Sequence, residues 1–406
     1  MTFNKKKPLT RIIPASLSAL LFSTGVQAIS LDDAINQQLE APPGNVVCGR
    51  LLDAGANLTG ALQDICARAF PLGASASSSG GNSAIPASLP SANIGLIDGA
   101  APGDKEVGNR QSTDFKITAN WSAFLTLENE GLDKDQTENE AAFDSSLNRI
   151  LLGANYMPSN TWSFGTALNM SNQDSDFANG GEISEDTAGL RLLASYNPAD
   201  NLSLHLLGSY DKISADKMRA TRFTDIFNDA PIYTVSATPE SDYDYDRLGL
   251  TFRTYYDMNF GKFSLVPQFG IDWVDTQYDS YNEVGASGLE LTFHDDQHTS
   301  LQTSLGITGT YAISTGFGVF IPQFNVVLRH EFEDEGREIN VSFVQDLNAT
   351  QFSFQAEDPD ANFIEAGIGG VFIFADGLQS FINVHTLLAH EYYNSVVISV
   401  GLRREL

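Results

Sequence analysis

From about residue 115 to the C-terminus, apolar and polar residues alternate at period two. In residues 201–210, NLSLHLLGSY, one side carries Leu202, Leu204, Leu206, Gly208 and Tyr210, and the other Asn201, Ser203, His205, Leu207 and Ser209. That period predicts β-strands rather than helices. Twelve such runs lie near residues 115–127, 147–157, 160–172, 186–197, 201–212, 243–258, 262–277, 298–313, 317–332, 362–375, 378–390 and 393–406. A water-soluble sandwich would bury the apolar stripe in a core. A membrane barrel would turn the same stripe to lipid and the polar one to a wet lumen.

The connections separate the two. Short ones built from turn residues, such as Pro158-Ser159, Pro198-Ala199-Asp200, Gly261 and Asp376-Gly377, alternate with long acidic ones such as ENEGLDKDQTENEAAFDSS, until the last connection, near Tyr392, which is tight and breaks the series. An even strand number with short turns at one end and long loops at the other is the pattern of an outer-membrane barrel, and Greek-key sandwiches do not produce it. The polar stripes agree. In residues 247–258 they hold Arg247, Gly249, Thr251 and Arg253, in place of the Lys and Glu of a solvated sandwich face. Tyr156, Tyr196 and Tyr311, at run ends, suit an interfacial girdle. The expected fold is all-β: a 12-stranded antiparallel transmembrane β-barrel over residues 115–406, its long loops solvated and irregular.

The N-terminal residues add a compartment. Lys5, Lys6, Lys7 and Arg11 precede a short apolar stretch and Val26-Gln27-Ala28, which describes a secretory signal peptide over residues 1–28 cleaved after Ala28. Residues 29–72 read as a short helical segment. Ser30 can cap its first helix, and Asp32 and Asp33 fall in the first turn, where the helix dipole favours anions. Its two cysteines, Cys48 and Cys66, are expected to bond in an oxidising compartment and staple a helical hairpin. Residues 73–114 are a Gly/Ser/Ala/Pro-rich linker without periodicity. Fifty-one acidic against 23 basic residues, a net charge of −28, argue against nucleic acid as a partner.

With the runs in place, the C-terminal zone resembles the autotransporter β-domain, the translocator of type V secretion. ILLGANYMPSNTWSFGTALN resembles that family's second and third strands, and AGLRLLASYNPADNLSLHLLGSYD its fourth and fifth. FGIDWVDTQYDSYNEVGASGLELTF followed by SLQTSLGITGTYAI is the most specific block, and GVFIPQFNVVLRHEF resembles the strand ending in H-E-F. The resemblance implies a Gram-negative outer-membrane barrel that carries an N-terminal passenger across the membrane. Outer-membrane lipid, periplasmic chaperones and the barrel-assembly machinery are the partners it implies. Two departures stand out. The family usually ends in an aromatic residue, whereas this chain ends in Leu406 with Arg404 where an apolar residue is expected. The segment before the barrel also has no room for a long β-helix.

Candidate chemistry is sparse. Arg149, Arg191, Arg247, Arg253, Arg329 and Arg403 share the lumenal phase. They either line an anion-favouring channel or brace the wall against carboxylates such as Glu331 and Glu365. His330 is expected to be structural, and His385 or His390 with Ser395 lacks any supporting motif for hydrolysis. Asp133, Asp135, Thr137 and Asn139 lack the glycine and terminal Glu of a calcium loop. With no G-x-S-x-G, C-x-x-C, P-loop or H-E-x-x-H motif, no catalytic, metal or cofactor site is expected. The N-terminal segment has three open destinations: the cell surface, the lumen as a plug, or the periplasm. Mass spectrometry of the non-reduced mature protein should find a chain starting at Ile29 with Cys48 and Cys66 joined. Free thiols at both positions would remove the staple.

Overall fold

The computed structural model describes residues 75–77 and 121–405, apart from 138–139, 160, 228–229, 286–288, 317, 334–335 and 375–377. The signal peptide with Ala28, the helical segment with Cys48 and Cys66, and most of the linker lie outside the described residues. Twelve antiparallel strands form the barrel. They are β1 (Trp121–Lys134), β2 (Phe143–Tyr156), β3 (Trp162–Phe177), β4 (Glu182–Ala199), β5 (Leu202–Met218), β6 (Glu240–Tyr256), β7 (Phe263–Tyr278), β8 (Asp296–Tyr311), β9 (Gly318–Glu331), β10 (Asn362–Phe374), β11 (Leu378–Leu388) and β12 (Tyr393–Glu405). Each pairs with its sequence neighbour. β12 pairs with β1 from Ser122 opposite Glu405 to Lys134 opposite Tyr393, which closes the sheet. Each of the twelve runs read from the pattern overlaps one of these strands.

Closure follows from where the apolar stripes point. In β5, Leu206 is 47% exposed while Leu207, one residue on, is 2% exposed. Leu152, Leu168, Met170, Leu192, Leu248, Leu250, Leu305, Leu328 and Val400 are likewise exposed on the outer face. In water so large a continuous apolar surface would aggregate; in a bilayer it is the solvated one. At the short-turn end aromatic rings pair across strands, Trp121 on Tyr156 at 4.7 Å and Trp162 on Tyr196 at 4.5 Å between centroids, with Tyr256 and Tyr311 exposed beside the turns. Arg404 is exposed on the outer face at this end, between Ala123 and Leu378, where a long apolar stem suits the belt and a terminal charge suits the interface. On β9, Phe324 lies flat over Gly309 of β8, a contact that any Cβ at that glycine would break.

Two expectations are corrected at the other end. Several strands run past the apolar pattern: β2 begins at Phe143, β3 continues to Phe177, and β5 to Met218. Their outward positions there turn polar and acidic, as at Asp174, Asp176, Asp186, Asp242, Asp244 and Asp246. Apolar alternation stops where lipid stops, but the backbone ladder continues into water. The long loops are also not all irregular. Tyr281–Asn282 and Leu291–Phe293 from the β7–β8 loop form one antiparallel sheet with Glu338–Phe343 and Phe352–Gln355 from the β9–β10 loop. Leu289, Leu291, Val341, Phe343 and Phe354 are buried in it. In the β5–β6 loop, Thr221–Phe227 pairs with Ala230–Ala237, and Ser75–Ser77 of the linker lies against its edge at residues 224–226.

Leu206→Lys, at mid-height on the lipid face, should destabilise the barrel by about 2–4 kcal/mol, while Asn172→Lys above the apolar belt should change it by less than about 0.5 kcal/mol. Equilibrium unfolding in lipid vesicles checks both.

Candidate functional site

The lumen is where the fold gathers its polar side chains. Inward positions alternate with lipid-facing ones along each strand, so they receive whatever the apolar stripe leaves over. The structure places all six predicted arginines on inward-facing positions, and several form ion pairs that link strands. Arg149 of β2 meets Glu128 of β1. Arg191 of β4 grips Asp211 of β5 with two parallel bonds of 2.7 and 2.8 Å, and Asn169 of β3 donates to the same carboxylate. Arg253 of β6 directs Nη2 at both carboxylate oxygens of Asp272 on β7, at 3.0 and 2.9 Å.

Asp272 is the centre of the largest group. Thr251 donates to it at 2.8 Å, and Arg329 of β9 reaches it at 3.2 Å. Arg329 also pairs with Glu365 of β10 at 2.7 Å, while Ser304 of β8 bonds Arg253. One charge network therefore ties β6 through β10 along the wall. Bidentate Arg–carboxylate geometry is directional, so these bonds hold strand register as well as charge balance. Arg247 lies over the Tyr245 ring, its guanidinium carbon 5.8 Å from the centroid. Arg403 sits near the short-turn end, opposite Phe124 and Gln379.

Glu365 joins an arginine as the sequence suggests, whereas among the described residues Glu331 has none. Its carboxylate accepts from Ser300 and Gln302 and from the backbone N–H groups of Leu301, Phe332 and Glu333, so it caps the upper end of β9. Sequence reasoning misses the carboxylates of Glu128, Asp211 and Asp272. Each occupies an inward position, which the period shows. Which arginine it faces depends on strand stagger, which the period does not show.

The upper lumen is aromatic and cationic. Tyr243 stacks on Tyr281 of the loop sheet at 4.1 Å, Tyr281 stacks on Phe293 at 4.8 Å, and Lys217 of β5 places Nζ 4.9 Å from the Phe293 centroid. Just past β5, Arg219 binds Glu283 at 2.7 and 2.8 Å and donates to the Leu289 carbonyl at 3.0 Å. Arg337, in the β9–β10 loop, lies over Tyr278 and 3.3 Å from Asp296.

The remaining candidates are placed separately. Ser395 donates to Glu130, and no hydrogen bond joins it to His385 or His390 among the described residues. His390, in the β11–β12 loop, accepts from the Tyr393 N–H; burial pushes its pKa down, with Asp360 acting against that. His330 bonds Ala361 and Asn362 at the upper rim and meets Phe332 edge-on. Thr137 closes a turn with Glu140, and Asn139 lies outside the described residues. Among the described residues no group of three or more His, Cys, Asp or Glu is arranged to hold a metal.

The family model of the autotransporter β-domain matches residues 123–385. Among solved structures, the chain is similar to the translocator domain of the autotransporter NalP from Neisseria meningitidis, with 12% identity and a TM-score of 0.55 over 77% of this chain and 96% of that one. The β domain of the Bordetella autotransporter BrkA aligns at 13% identity and a TM-score of 0.49, over 71% of this chain and 100% of that one. The Ralstonia pickettii toluene transporter TbuX aligns at 11% identity and a TM-score of 0.40, over 71% and 90%. No curated protein matches the sequence. At 12% identity the likeness to NalP shows fold.

Asp272→Ala should cost about 3–5 kcal/mol, because it leaves the buried Arg253 guanidinium without its carboxylate and takes one of two carboxylates from Arg329. Lys212→Ala, at the exposed pair with Asp244, should leave the unfolding midpoint almost where it was, since water screens that pair. Unfolding midpoints of the two variants check the contrast.

Proposed function

The chain belongs to the autotransporter β-domain family, and from that premise we propose that its barrel is a translocator that exports or displays its own N-terminal segment, residues 29–114, at the cell surface. Barrels of this family reside in the Gram-negative outer membrane, and the exposed apolar belt is the surface such a membrane requires.

The observation that carries the reading is where the chain enters the barrel. β1 starts at Trp121, at the short-turn end, and the 42 residues 73–114 precede it. Short turns face the periplasm in barrels of this class. A linker of that length reaches about 140 Å when extended, against roughly 40 Å for the height of a tilted strand of this barrel. It can therefore thread the lumen and leave a small head outside. Its many Gly, Ser and Ala residues carry small side chains that suit passage through a narrow lumen. A signal peptide ending at Ala28 would deliver the chain to the periplasm, where chaperones and the barrel-assembly machinery would receive it. Arg404, already seated at the lower rim, would stand where that machinery reads the last strand.

A channel or structural barrel is the second reading. What favours it is the lumenal charge network, which braces the wall whether or not anything passes. In neither reading does the barrel perform catalysis or hold a cofactor.

The test is protease and antibody access on intact cells to an epitope tag at Ser88, with lysed cells as the control. Access on intact cells is the expected result. Access only after lysis, with the barrel present and heat-modifiable in the outer membrane, would overturn self-export and leave the second reading.

A further inference from the structure

The loop sheet raises a question that export does not answer, namely what stands over the pore. Its first edge belongs to the β5–β6 side of the wall. Glu283 is held there by Arg219, Val284 bridges to Glu240 at the top of β6, and Tyr281 stacks on Tyr243. Its far edge, just past Phe352–Gln355, belongs to the β12–β1 side. The Glu357 N–H donates to Glu140 in the β1–β2 loop, and the Tyr392 hydroxyl, beside β12, donates to the Asp358 carbonyl. In a ring of twelve strands those two sides lie nearly opposite each other. A 12-stranded barrel is about 24 Å across, and a sheet of four strands about 4.8 Å apart, with its flanking segments, covers that distance. Lys217, Tyr243, Tyr245 and Tyr278 are inward-facing and buried, and the sheet meets three of them directly or through Arg337: Lys217 under Phe293, Tyr243 under Tyr281, Tyr278 under Arg337. It lies over the lumen.

We propose that this sheet is a lid that shuts the extracellular mouth and opens from its β12–β1 side. The covalent attachments are all on β7, β8, β9 and β10, so the sheet can turn about that part of the wall. The two unattached edges are unequal. Arg219 and Glu283, both with side chains about 1% exposed, form a buried bidentate clasp backed by stacked rings at the β5–β6 edge. At the opposite edge, among the described residues, the Glu357 N–H to Glu140 and the Tyr392 hydroxyl to the Asp358 carbonyl are single hydrogen bonds to the wall, Asp360 beside β10 accepts from the Glu391 N–H, and a cavity lies there, lined by carboxylates of Glu140, Glu331, Glu357 and Asp360 and by Tyr392 and Tyr393. A seam of single hydrogen bonds over a cavity that gathers several carboxylates separates more readily than a bidentate clasp backed by stacked rings. The lid follows from loop contacts alone and stands whether or not the N-terminal segment is exported.

The test uses the full-length chain in intact cells and a membrane-impermeant maleimide, read against the wild-type background. Ala215→Cys reports from beneath the lid, since Ala215 is inward-facing and buried one layer below Lys217; Asn172→Cys reports from the outer face. The thiol of the A215C variant should label at least about tenfold more slowly than that of the N172C variant, as expected for a site reached only through local opening. Adding Tyr392→Phe or Glu140→Ala should speed labelling at position 215 several-fold, with labelling at position 172 unchanged. If one of these seam variants fails to reach the outer membrane in heat-modifiable form, the other carries the test. Equal labelling of the two reporters without a seam variant would show that nothing covers the mouth. No acceleration from either seam variant, or acceleration only with Glu283→Gln, would overturn opening from the β12–β1 side.

Discussion

The closed backbone ladder is the constraint on which everything else in this barrel depends. In a bilayer no water is present to satisfy a free N–H or C=O, so the last strand must find the first. β12 does so along its whole length, opposite β1 from Ser122 to Lys134. Once the ring is closed, each strand has one face in lipid and one in the lumen. The period-two alternation then assigns every side chain to one environment or the other. Leu206 and Leu207 are adjacent in sequence and lie in different solvents.

The polar face creates a second demand. Arginines and carboxylates withdrawn from bulk water are tolerable only when paired and hydrogen-bonded. The wall meets this locally, between strands one or two places apart: Arg149 with Glu128, Arg191 with Asp211, and Arg253 and Arg329 sharing Asp272. These bonds run along the wall, so they resist slippage of one strand against the next and do not span the lumen. A one-residue slip would turn each of these charges toward lipid, which gives the network a role in register apart from any passage of solutes.

Above the membrane the same chain is governed by water again, and its architecture changes. Strands continue as ladders with acidic outer faces, and two inward-folding loops build a small sheet with an apolar interior of Leu289, Leu291, Val341 and Phe354. That sheet is fastened to the wall by contacts of opposite character on its two sides: a buried bidentate Arg219–Glu283 clasp with stacked tyrosines, and a seam of single hydrogen bonds at Glu140 and Tyr392. Such asymmetry gives a covering structure a direction in which to move.

Strand number, strand order, the lipid-facing sides and the end at which short turns lie are all legible in the chain itself. Those properties are local, written in alternation and turn chemistry over about ten residues. The same alternation puts all six lumenal arginines on the correct face, because face depends only on parity. Partners are another matter. Which carboxylate meets Arg253 is set by stagger between strands, and stagger is fixed by the closure of the whole ring. Glu331 reads as an arginine's partner and is a strand cap, because the rim turns its carboxylate back onto five nearby donors. The loop sheet escapes a sequence reading for a related reason. Its strands are as short as two and three residues, and they pair across a loop-to-loop separation of some fifty residues, too short and too distant for any periodic signal to survive. Only when the barrel brings the β7–β8 and β9–β10 loops to the same mouth do those fragments have each other to pair with.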